Sequence, residues 1–379
     1  MDFSFTDEQR MLRDSLSGYL ADRFDFDTRR AVIRSESGRR DADWKAFAEE
    51  LRILGAPFPE ELGGLGGGAV ENLVILQAMG EGLSIEPYLP TVVIGGGFLK
   101  RWGADQAAEE IAAVIEGRRL FAFAFAEPKS RFDAFDVETA ARKDGDGWVL
   151  NGRKSVVLGA PWADKLFVTA RTSGGRRDFG GISLFLVDKA AAGVTTRDYP
   201  TVDGSRASEI AFDNVRAEAI VGEADGAWPL IDQVMDEATA AVCAEALGVM
   251  KRLYQTTVDY SKQRRQFGRA IGEFQVLQHR MVDMMMAEEQ AVSMTYMATL
   301  KLDESASERA KAVSAAKSFV SKACRFVGQS AIQIHGGIGV TDELAVAHYF
   351  KRASMIENQF GSADWHTARY ECLSFASAA

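Results

Sequence analysis

The 379-residue sequence predicts a mainly α-helical protein with a central β-domain. Apolar residues recur every three or four positions at both ends of the chain, which is typical of amphipathic helices. In the middle, the period changes to two and Gly, Asp and Asn separate short apolar runs. We expect an N-terminal helical domain over residues 1–118, a β-barrel or β-sandwich over 119–227, and a C-terminal four-helix bundle over 228–379.

The N-terminal region contains two clear helix signals. Thr6 can cap a helix that starts at residue 7, and "DADWKAFAEELRILGAPFP" predicts a second helix that ends at a Gly and a Pro. Gly64, Gly66 and Ala69 have the spacing of a dinucleotide-binding motif, but prolines rather than a strand precede them. We therefore expect a loop followed by a helix there.

The central region begins with alternating residues, Phe121, Phe123 and Phe125 between alanines. This alternation predicts a strand with one buried aromatic face. Further strands are predicted at "DGDGWVLNGRKSVV", "KLFVTART", "GISLFLVD" and "SEIAFDNV". Their connections are too short for helical crossovers, so the pattern favours an antiparallel barrel or sandwich.

The C-terminal region predicts four long helices that form a bundle. The third helix opens with a capping-box pattern from Ser305 to Glu308. The four helices are expected near residues 230–262, 272–302, 306–335 and 342–357.

Composition limits the classes of function. A formal net charge of −10 argues against a nucleic-acid or anionic-membrane partner. No apolar run reaches membrane-spanning length, and the opening "MDFSFTDEQR" has acids where a signal peptide needs basic residues. We expect a cytoplasmic protein without membrane insertion. Cys243, Cys324 and Cys372 are expected to be buried free thiols, and the four histidines are not spaced for zinc, so no metal site is expected.

Two motifs carry residues suited to a nucleotide ligand: "RRQFGRAIGEFQVLQHRMVDM" at 264–284 and "QIHGGIGVTDE" at 333–343. Arg264 or Arg265 offers a permanent cation for a pyrophosphate, and Phe267 offers an aromatic face for an adenine. Gly336 and Gly337 can end a helix and let a ligand approach the backbone. The alternatives are a surface Arg beside a core Phe, and a simple helix cap.

Together the two motifs resemble the C-terminal signature of the acyl-CoA dehydrogenase family of flavoproteins. The helical, β, helical order agrees with that family over nearly the whole chain. The resemblance implies FAD bound between the β-domain and the C-terminal bundle, and reaching a neighbouring subunit. It also implies that six residues contact FAD held mainly by another subunit: Arg264, Phe267, Gln275, Gln333, Gly336 and Gly337.

The reaction that this resemblance implies is FAD-dependent α,β-dehydrogenation of an acyl-CoA thioester to the trans-2-enoyl-CoA. A base takes the α-proton and flavin N5 accepts the β-hydride. The pathway would be fatty-acid, dicarboxylate or related acyl-CoA degradation, with an electron-transfer flavoprotein as acceptor. The family also implies a tetramer, composed of one kind of chain or of two.

The sequence departs from the family pattern at the flavin loop and at the base. "AEPKSRFD" at 126–133 lacks the Thr, Gly and Ser of the usual flavin loop, and Val156 and Leu158 replace a Trp and a Thr. Phe360 matches the position of the usual glutamate base. A second position used in the family matches Ala238, with Glu237 one residue earlier.

Glu245 is the candidate catalytic base that remains. It is the only charged residue in "ATAAVCAEALGVM", and burial of a carboxyl raises its pKa toward neutrality. The alternative is a glutamate that is hydrogen-bonded inside the bundle or at a subunit contact.

These departures resemble the small subunits of paired acyl-CoA dehydrogenases of the pimeloyl-CoA type. In such pairs a large subunit holds the flavin loop and the base. The resemblance therefore implies a second role, in which this chain is a non-catalytic donor of the FAD edge in a heterotetramer. A third reading keeps the fold and changes the chemistry to a flavin monooxygenase or a nitroalkane-type oxidase.

Overall fold

The computed structural model describes residues 5–376. These residues form two compact units, and each is built from separate stretches of the chain. The helical unit contains residues 5–34, 69–85 and 239–376, and the sheet unit contains 35–68 and 86–238. The three domain limits expected from the sequence stay predictions. The opening residues 1–4, used above to argue localisation, lie outside the described part.

Helices dominate the described residues. The α-helices are, in chain order, α1 Asp7–Arg23, α2 Phe26–Arg34, α3 Asp41–Glu49, α4 Ala69–Glu81, α5 Gly96–Trp102, α6 Ala104–Ile115, α7 Trp228–Gln263, α8 Gln275–Leu300, α9 Ala306–His335, α10 Ala345–Asn358 and α11 Ala363–Ala376. The strands are β1 Phe121–Ala124, β2 Ala140–Asp144, β3 Gly147–Leu158, β4 Lys165–Arg171, β5 Ile182–Asp188, β6 Val194–Pro200, β7 Arg206–Arg216, β8 Ala219–Val221, β9 Arg265–Gln266 and β10 Arg269–Ala270. The predicted fold class, helical then β then helical, is confirmed.

Capping residues set the starts of two helices, as expected. The Thr6 hydroxyl accepts a hydrogen bond from the Gln9 amide at the start of α1, and the Gln9 side chain accepts one from the Thr6 amide. The Ser305 hydroxyl accepts a hydrogen bond from the Glu308 amide at the start of α9. The sequence analysis did not predict helix α2, because Asp27, Arg30 and its other charged residues leave too few apolar positions to show a helical period.

Two glycines allow α4 and α7 to pack closely within the helical unit. A Cβ added at Gly80 would lie 2.1 Å from the Glu245 carbonyl oxygen, and one added at Gly248 would lie 2.0 Å from the Gln77 carbonyl oxygen. These separations are far below van der Waals contact, so neither position accepts a side chain without moving the helices apart.

A buried lysine joins α9 to the end of α10. The fully buried Lys317 ammonium donates to the carbonyls of Ile356 at 3.0 Å, Glu357 at 3.1 Å and Gly361 at 2.9 Å, and to the Ser321 hydroxyl at 2.8 Å. A cation at this position satisfies carbonyls that the end of α10 leaves without partners. Beyond it α11 forms a fifth long helix of the C-terminal region, which the sequence reading had not anticipated.

The sheet unit contains an eight-stranded sheet in the order β6-β7-β3-β2-β4-β5-β8, with β1 beside β4. Most neighbours are antiparallel, but β1 pairs with β4 in parallel, from Phe121 opposite Lys165 to Ala124 opposite Val168. The purely antiparallel prediction was therefore wrong. The chain between β1 and β4 contains the hairpin of β2 and β3, which serves as the crossover that the short loops did not reveal.

The buried aromatic face predicted for β1 is confirmed, and its opposite face is buried as well. Its four residues are all buried, so the alanines do not face solvent. Phe121 and Phe123 pack on one side, where their rings contact Phe167 and Phe98 at centroid distances of 5.1 and 4.9 Å. The alternation separates large from small buried side chains, because both faces of the strand are covered.

Other expectations are settled more simply. Gly64 and Gly66 lie in a loop before α4, with a short 3₁₀ helix at Glu60–Leu62 rather than a strand ahead of them. Cys243 and Cys324 are buried free thiols, as predicted, whereas Cys372 is exposed. Within residues 5–376, no helix combines the length and the hydropathy that a membrane crossing requires.

Candidate functional site

The motif that follows α7 folds as a small hairpin in the helical unit. β9 and β10 pair through Gln266 and Arg269, and the two residues between them, Phe267 and Gly268, have φ of 52° and 82°. Two successive left-handed residues make a type I′ turn, which suits a two-residue hairpin loop. Phe267 is 91% exposed at its tip. A bulky residue that is both left-handed and exposed is strained without any gain in packing, which points to a role outside the chain.

An aromatic pair holds this hairpin next to the end of α9. The Tyr260 ring stacks on the His335 ring with centroids 4.3 Å apart. The Tyr260 carbonyl accepts a hydrogen bond from the Arg264 amide at 2.8 Å, and the Tyr260 hydroxyl lies 3.4 Å from the His335 carbonyl. His335 directly precedes Gly336, so the two sequence motifs meet at one end of the helical unit.

The glycine turn is open on its outer side. Gly336 ends α9 with a φ of 67°, a conformation that favours glycine. Apart from the adjoining backbone and neighbouring residues, no atom of the described chain lies within 4 Å of a Cβ added at Gly336 or Gly337. The chain's own packing therefore gives no reason for a glycine at 337, and a close approach by another molecule would give one.

The remaining predicted residues are exposed on the same end. Gln275 opens α8 one residue after Phe274, whose ring meets Phe267 edge-on at 6.2 Å. Gln333 lies on the last turn of α9. Among residues 5–376, no hydrogen bond or ion pair engages the side chains of Arg264, Gln275 or Gln333. We call the following set the edge surface: Arg264, Phe267, Gln275, Gln333, Gly336 and Gly337.

The segment at 126–133, which we matched to the flavin loop, is held in the sheet unit by an ion pair and several hydrogen bonds. Glu127 pairs with the fully buried Lys154 at 2.8 Å and accepts hydrogen bonds from the amides of Glu138 and Thr139 at 2.7 and 2.9 Å. Burial alone would raise the pKa of Glu127, but the Lys154 ammonium outweighs it and lowers that pKa. Arg131, at the position where the resemblance implies a glycine, adopts a φ of 50°. The loop thus keeps a glycine-type bend while carrying an arginine.

Val156, at the position where the resemblance implies a tryptophan, lies at a break in the β3 and β7 register. It has a φ of 52° and is 51% exposed, and its amide donates to Glu209 at 3.3 Å. A β-branched residue in the left-handed region is rare and strained. The strand therefore bends at residue 156 and exposes its side chain, which here is a small aliphatic one.

Glu245 does not stand alone, and this corrects the expectation of an isolated carboxyl. Its two oxygens accept hydrogen bonds from Arg352 at 2.6 Å each, and the two side chains are 9% and 14% exposed. This geometry is the bidentate pair that guanidinium and carboxylate groups favour, and it commits both carboxylate oxygens to Arg352. The structure thus shows the hydrogen-bonded alternative, and a catalytic role for Glu245 stays a prediction.

The two other base positions give the same result. In the sheet unit, Glu237 is paired with Arg101 through contacts of 2.5 and 3.3 Å, with the carboxylate 17% exposed. Phe360 has a φ of 60°, and its carbonyl faces the His366 Nε2 at 3.1 Å. Of the three candidates, Glu245 and Glu237 are paired with arginines, and Phe360 has a side chain that cannot accept a proton.

Sequence reasoning missed Arg352 and Tyr260, which organise this chemistry. Arg352 follows Lys351 in the stretch "HYFKR", 107 residues from Glu245, so no local pattern connects the two. Tyr260 lies four residues before Arg264, and that spacing on one helix face was the available signal.

Comparison with known proteins supports one family over almost the whole chain. Three family models match: the acyl-CoA dehydrogenase N-terminal domain over residues 6–116, the middle domain over 122–215 and the C-terminal domain over 225–369. A 3-(aryl)acrylate reductase of Clostridium sporogenes is 30% identical over 82% of this chain and 84% of its own. The probable acyl-CoA dehydrogenase YngJ of Bacillus subtilis is 28% identical over 96% and 97%. The subunit CarC of the caffeyl-CoA reductase-Etf complex of Acetobacterium woodii is 29% identical over 79% and 80%.

Solved structures agree with these sequence relatives. The ChsE4-ChsE5 complex from Mycobacterium tuberculosis contains a chain that superposes with a TM-score of 0.89 at 25% identity, covering 98% of both chains. The FAD complex of PigA superposes with a TM-score of 0.89 at 26% identity, again covering 98% of both. The protein therefore belongs to the acyl-CoA dehydrogenase family.

Proposed function

We propose that the protein takes part in FAD-dependent α,β-dehydrogenation of an acyl-CoA thioester to the trans-2-enoyl-CoA, in fatty-acid, dicarboxylate or related acyl-CoA degradation. FAD is the cofactor that the family and its FAD-containing structures indicate. The observation that carries the proposal is the edge surface, where an unpaired cation, an exposed ring, two free amides and an open glycine turn lie together. The bound flavin supplies hydride acceptance, and the protein supplies binding, orientation and exclusion of water.

Each part of the edge surface fits the nucleotide end of FAD. The Arg264 guanidinium can donate to two pyrophosphate oxygens at once. The exposed Phe267 ring offers a face to adenine. Gln275 and Gln333 can both donate and accept hydrogen bonds, as ribose and adenine groups require. None of these groups is committed to a partner within the described chain, so binding would cost no internal hydrogen bond.

A specific observation favours a second candidate role within the same reaction. None of the three candidate base sites offers an unpaired carboxylate, since Glu237, beside the family position at Ala238, and Glu245 are both held by arginines and Phe360 is apolar. We infer that the α-proton is removed by a base on another chain, and that this chain donates the edge surface to a flavin site there. A heterotetramer with a large acyl-CoA dehydrogenase subunit fits this donor role, whereas a homotetramer fits a chain that carries out the dehydrogenation by itself.

Expressing the chain alone distinguishes the two roles. One FAD per chain that is bleached by an acyl-CoA supports a self-sufficient dehydrogenase. A chain that is colourless when expressed alone, and that gains both FAD and activity only when a large subunit is added, supports the donor role. Rapid hydrogen peroxide formation or a hydroxylated product, with no enoyl-CoA, would overturn both in favour of an oxidase or monooxygenase. Electron-transfer flavoprotein is our expected acceptor, and the cytoplasm is the expected location.

The edge surface itself is tested by Arg264→Ala and Phe267→Ala. Either change should weaken FAD retention about tenfold or more, because a charge-assisted hydrogen bond and a stacking contact are each worth about 1.4 kcal/mol or more. Lys45→Ala is the control, since it also removes one exposed cation. Unchanged FAD content and assembly in both edge variants would rule out the assignment of the edge surface.

A further inference from the structure

The segment directly after the glycine turn is tied to α2 by a buried histidine. His348, on α10, is 2% exposed. Its Nδ1 lies 2.8 Å from an Arg29 guanidinium nitrogen, and its Nε2 lies 2.8 Å from an Asp342 carboxylate oxygen. Asp342 is two residues beyond the turn Gly336–Val340, so the contact reaches from the turn's exit across α10 to α2.

The chemistry of arginine fixes the state of this histidine. A guanidinium only donates, so Nδ1 must accept from Arg29 and the ring proton must be on Nε2, facing Asp342. The Nε2 contact is a close electrostatic one and is not aligned as an ideal hydrogen bond. Arg29 is itself buried and also donates to the Leu83 carbonyl at 3.0 Å, so its position is set independently of His348.

We propose that Arg29, His348 and Asp342 form a latch that holds the glycine turn of the edge surface in its FAD-binding position, with His348 as a positioning residue that must be neutral. The proposal rests on the role of the edge surface proposed above. A second proton on His348 would put an N–H against the Arg29 guanidinium, turning an attraction into a repulsion between two cations. Acidification therefore breaks the buried Arg29–His348 link between α2 and α10. The exit of the turn is then tied to α2 through the exposed Arg34–Asp342 pair, which is a weak contact.

Two further cations lie near His348, and both contact the Asp342 carboxylate. Arg34 on α2 pairs with Asp342 at 2.5 Å, and Lys351 on α10 lies 3.6 Å from the same carboxylate. The Phe26 ring meets His348 edge-on at 4.9 Å. Burial first, and then Arg29, lower the pKa of His348 below its ordinary value of 6.5, with Asp342 opposing them. The neutral ring is therefore the resting form near pH 7.

Amide hydrogen exchange of residues 337–343 in the FAD-free full-length chain tests the latch without any flavin. His348→Leu removes both contacts and should speed exchange of these amides about tenfold, whereas His348→Gln, which keeps an N–H donor toward Asp342, should speed it less. Lys351→Gln removes a neighbouring cation and leaves the latch, so its exchange should match wild type within about twofold. Unchanged exchange in His348→Leu would overturn the latch, and if that variant does not fold, unchanged exchange in Arg29→Gln would do so.

FAD affinity against pH then tests the positioning role. Between pH 8 and pH 5 the wild-type dissociation constant should rise several-fold as His348 gains its second proton, and the His348→Gln constant should stay level because glutamine cannot gain a proton. Equal slopes in the two proteins would show that His348 is not the titrating group and would overturn its role. If Arg264→Ala and Phe267→Ala leave FAD affinity intact while exchange still responds to His348→Leu, the edge surface is wrong and the latch is only structural.

Discussion

Replacing Glu245 by Gln separates the structural role of this carboxylate from a catalytic one. The change removes the charge from a nearly buried pair that has two hydrogen bonds of 2.6 Å. Breaking such a pair while the other charge remains costs about 3–5 kcal/mol, because the guanidinium stays buried without a counter-ion. Arg352 keeps a weaker contact to Gln359 at 3.3 Å, so we expect the lower end, about 3 kcal/mol of unfolding free energy.

Urea denaturation followed by circular dichroism measures this loss. The double variant Glu245→Gln/Arg352→Met should recover about half or more of the lost stability, because it removes the orphaned cation as well. The same proteins, assembled with FAD, are then mixed with an acyl-CoA. If Glu245 is the base, flavin reduction fails in the single and the double variant. A loss of stability below about 1 kcal/mol in the single variant, or no recovery in the double, would refute the ion-pair reasoning.

Three further predictions follow from close packing, buried charge and backbone strain. Gly248→Ala should destabilise the protein by about 3 kcal/mol or more in denaturation experiments, because the new Cβ would lie 2.0 Å from the Gln77 carbonyl oxygen. The control Gly18→Ala lies on an open helix surface and should stabilise the protein by about 0.5–1 kcal/mol. Equal effects of the two changes would contradict the packing argument. Burial raises the pKa of Glu86 from 4.5 to about 7, so between pH 4.5 and pH 7 the folded state holds a proton that the unfolded state has lost. The free energy of unfolding should therefore fall as pH rises through this range. Glu86→Gln should flatten that dependence on pH, and an unchanged dependence would exclude Glu86 as its source. Phe267→Asn should raise stability by about 0.5–1 kcal/mol, since asparagine suits a left-handed turn residue, while weakening FAD retention, and a gain in both would show that the ring serves no ligand.

Local chemistry made the helices predictable, and distant contacts explain most of what was missed. Thr6 and Ser305 cap helices through side chains three residues from their partners, so the signal is contained in the sequence window. The pairing of β1 with β4 is parallel and non-local, and an apolar run carries no information about its neighbour. The alternating Phe and Ala of β1 predicted its buried aromatic face but not the burial of its alanines, because alanine occurs both in cores and on surfaces.

The same distinction applies to the candidate site. The edge surface was expected because its residues lie in two short motifs that resemble the signature of one family, and its contact with FAD stays a prediction. Glu245 was judged from its apolar neighbours along one helix, while its partner Arg352 comes from another helix. The latch was also missed, because Arg29 and His348 are 319 residues apart and neither stands in an unusual local pattern.

The uneven burial of the three thiols makes the protein easy to label. Burial raises the pKa of both Cys243 and Cys324 to about 12, so these two stay protonated and shielded from maleimides at neutral pH. Cys372 is exposed on α11. A single fluorophore can therefore be attached to the wild-type chain, and anisotropy can test whether the chains associate without engineering a new cysteine.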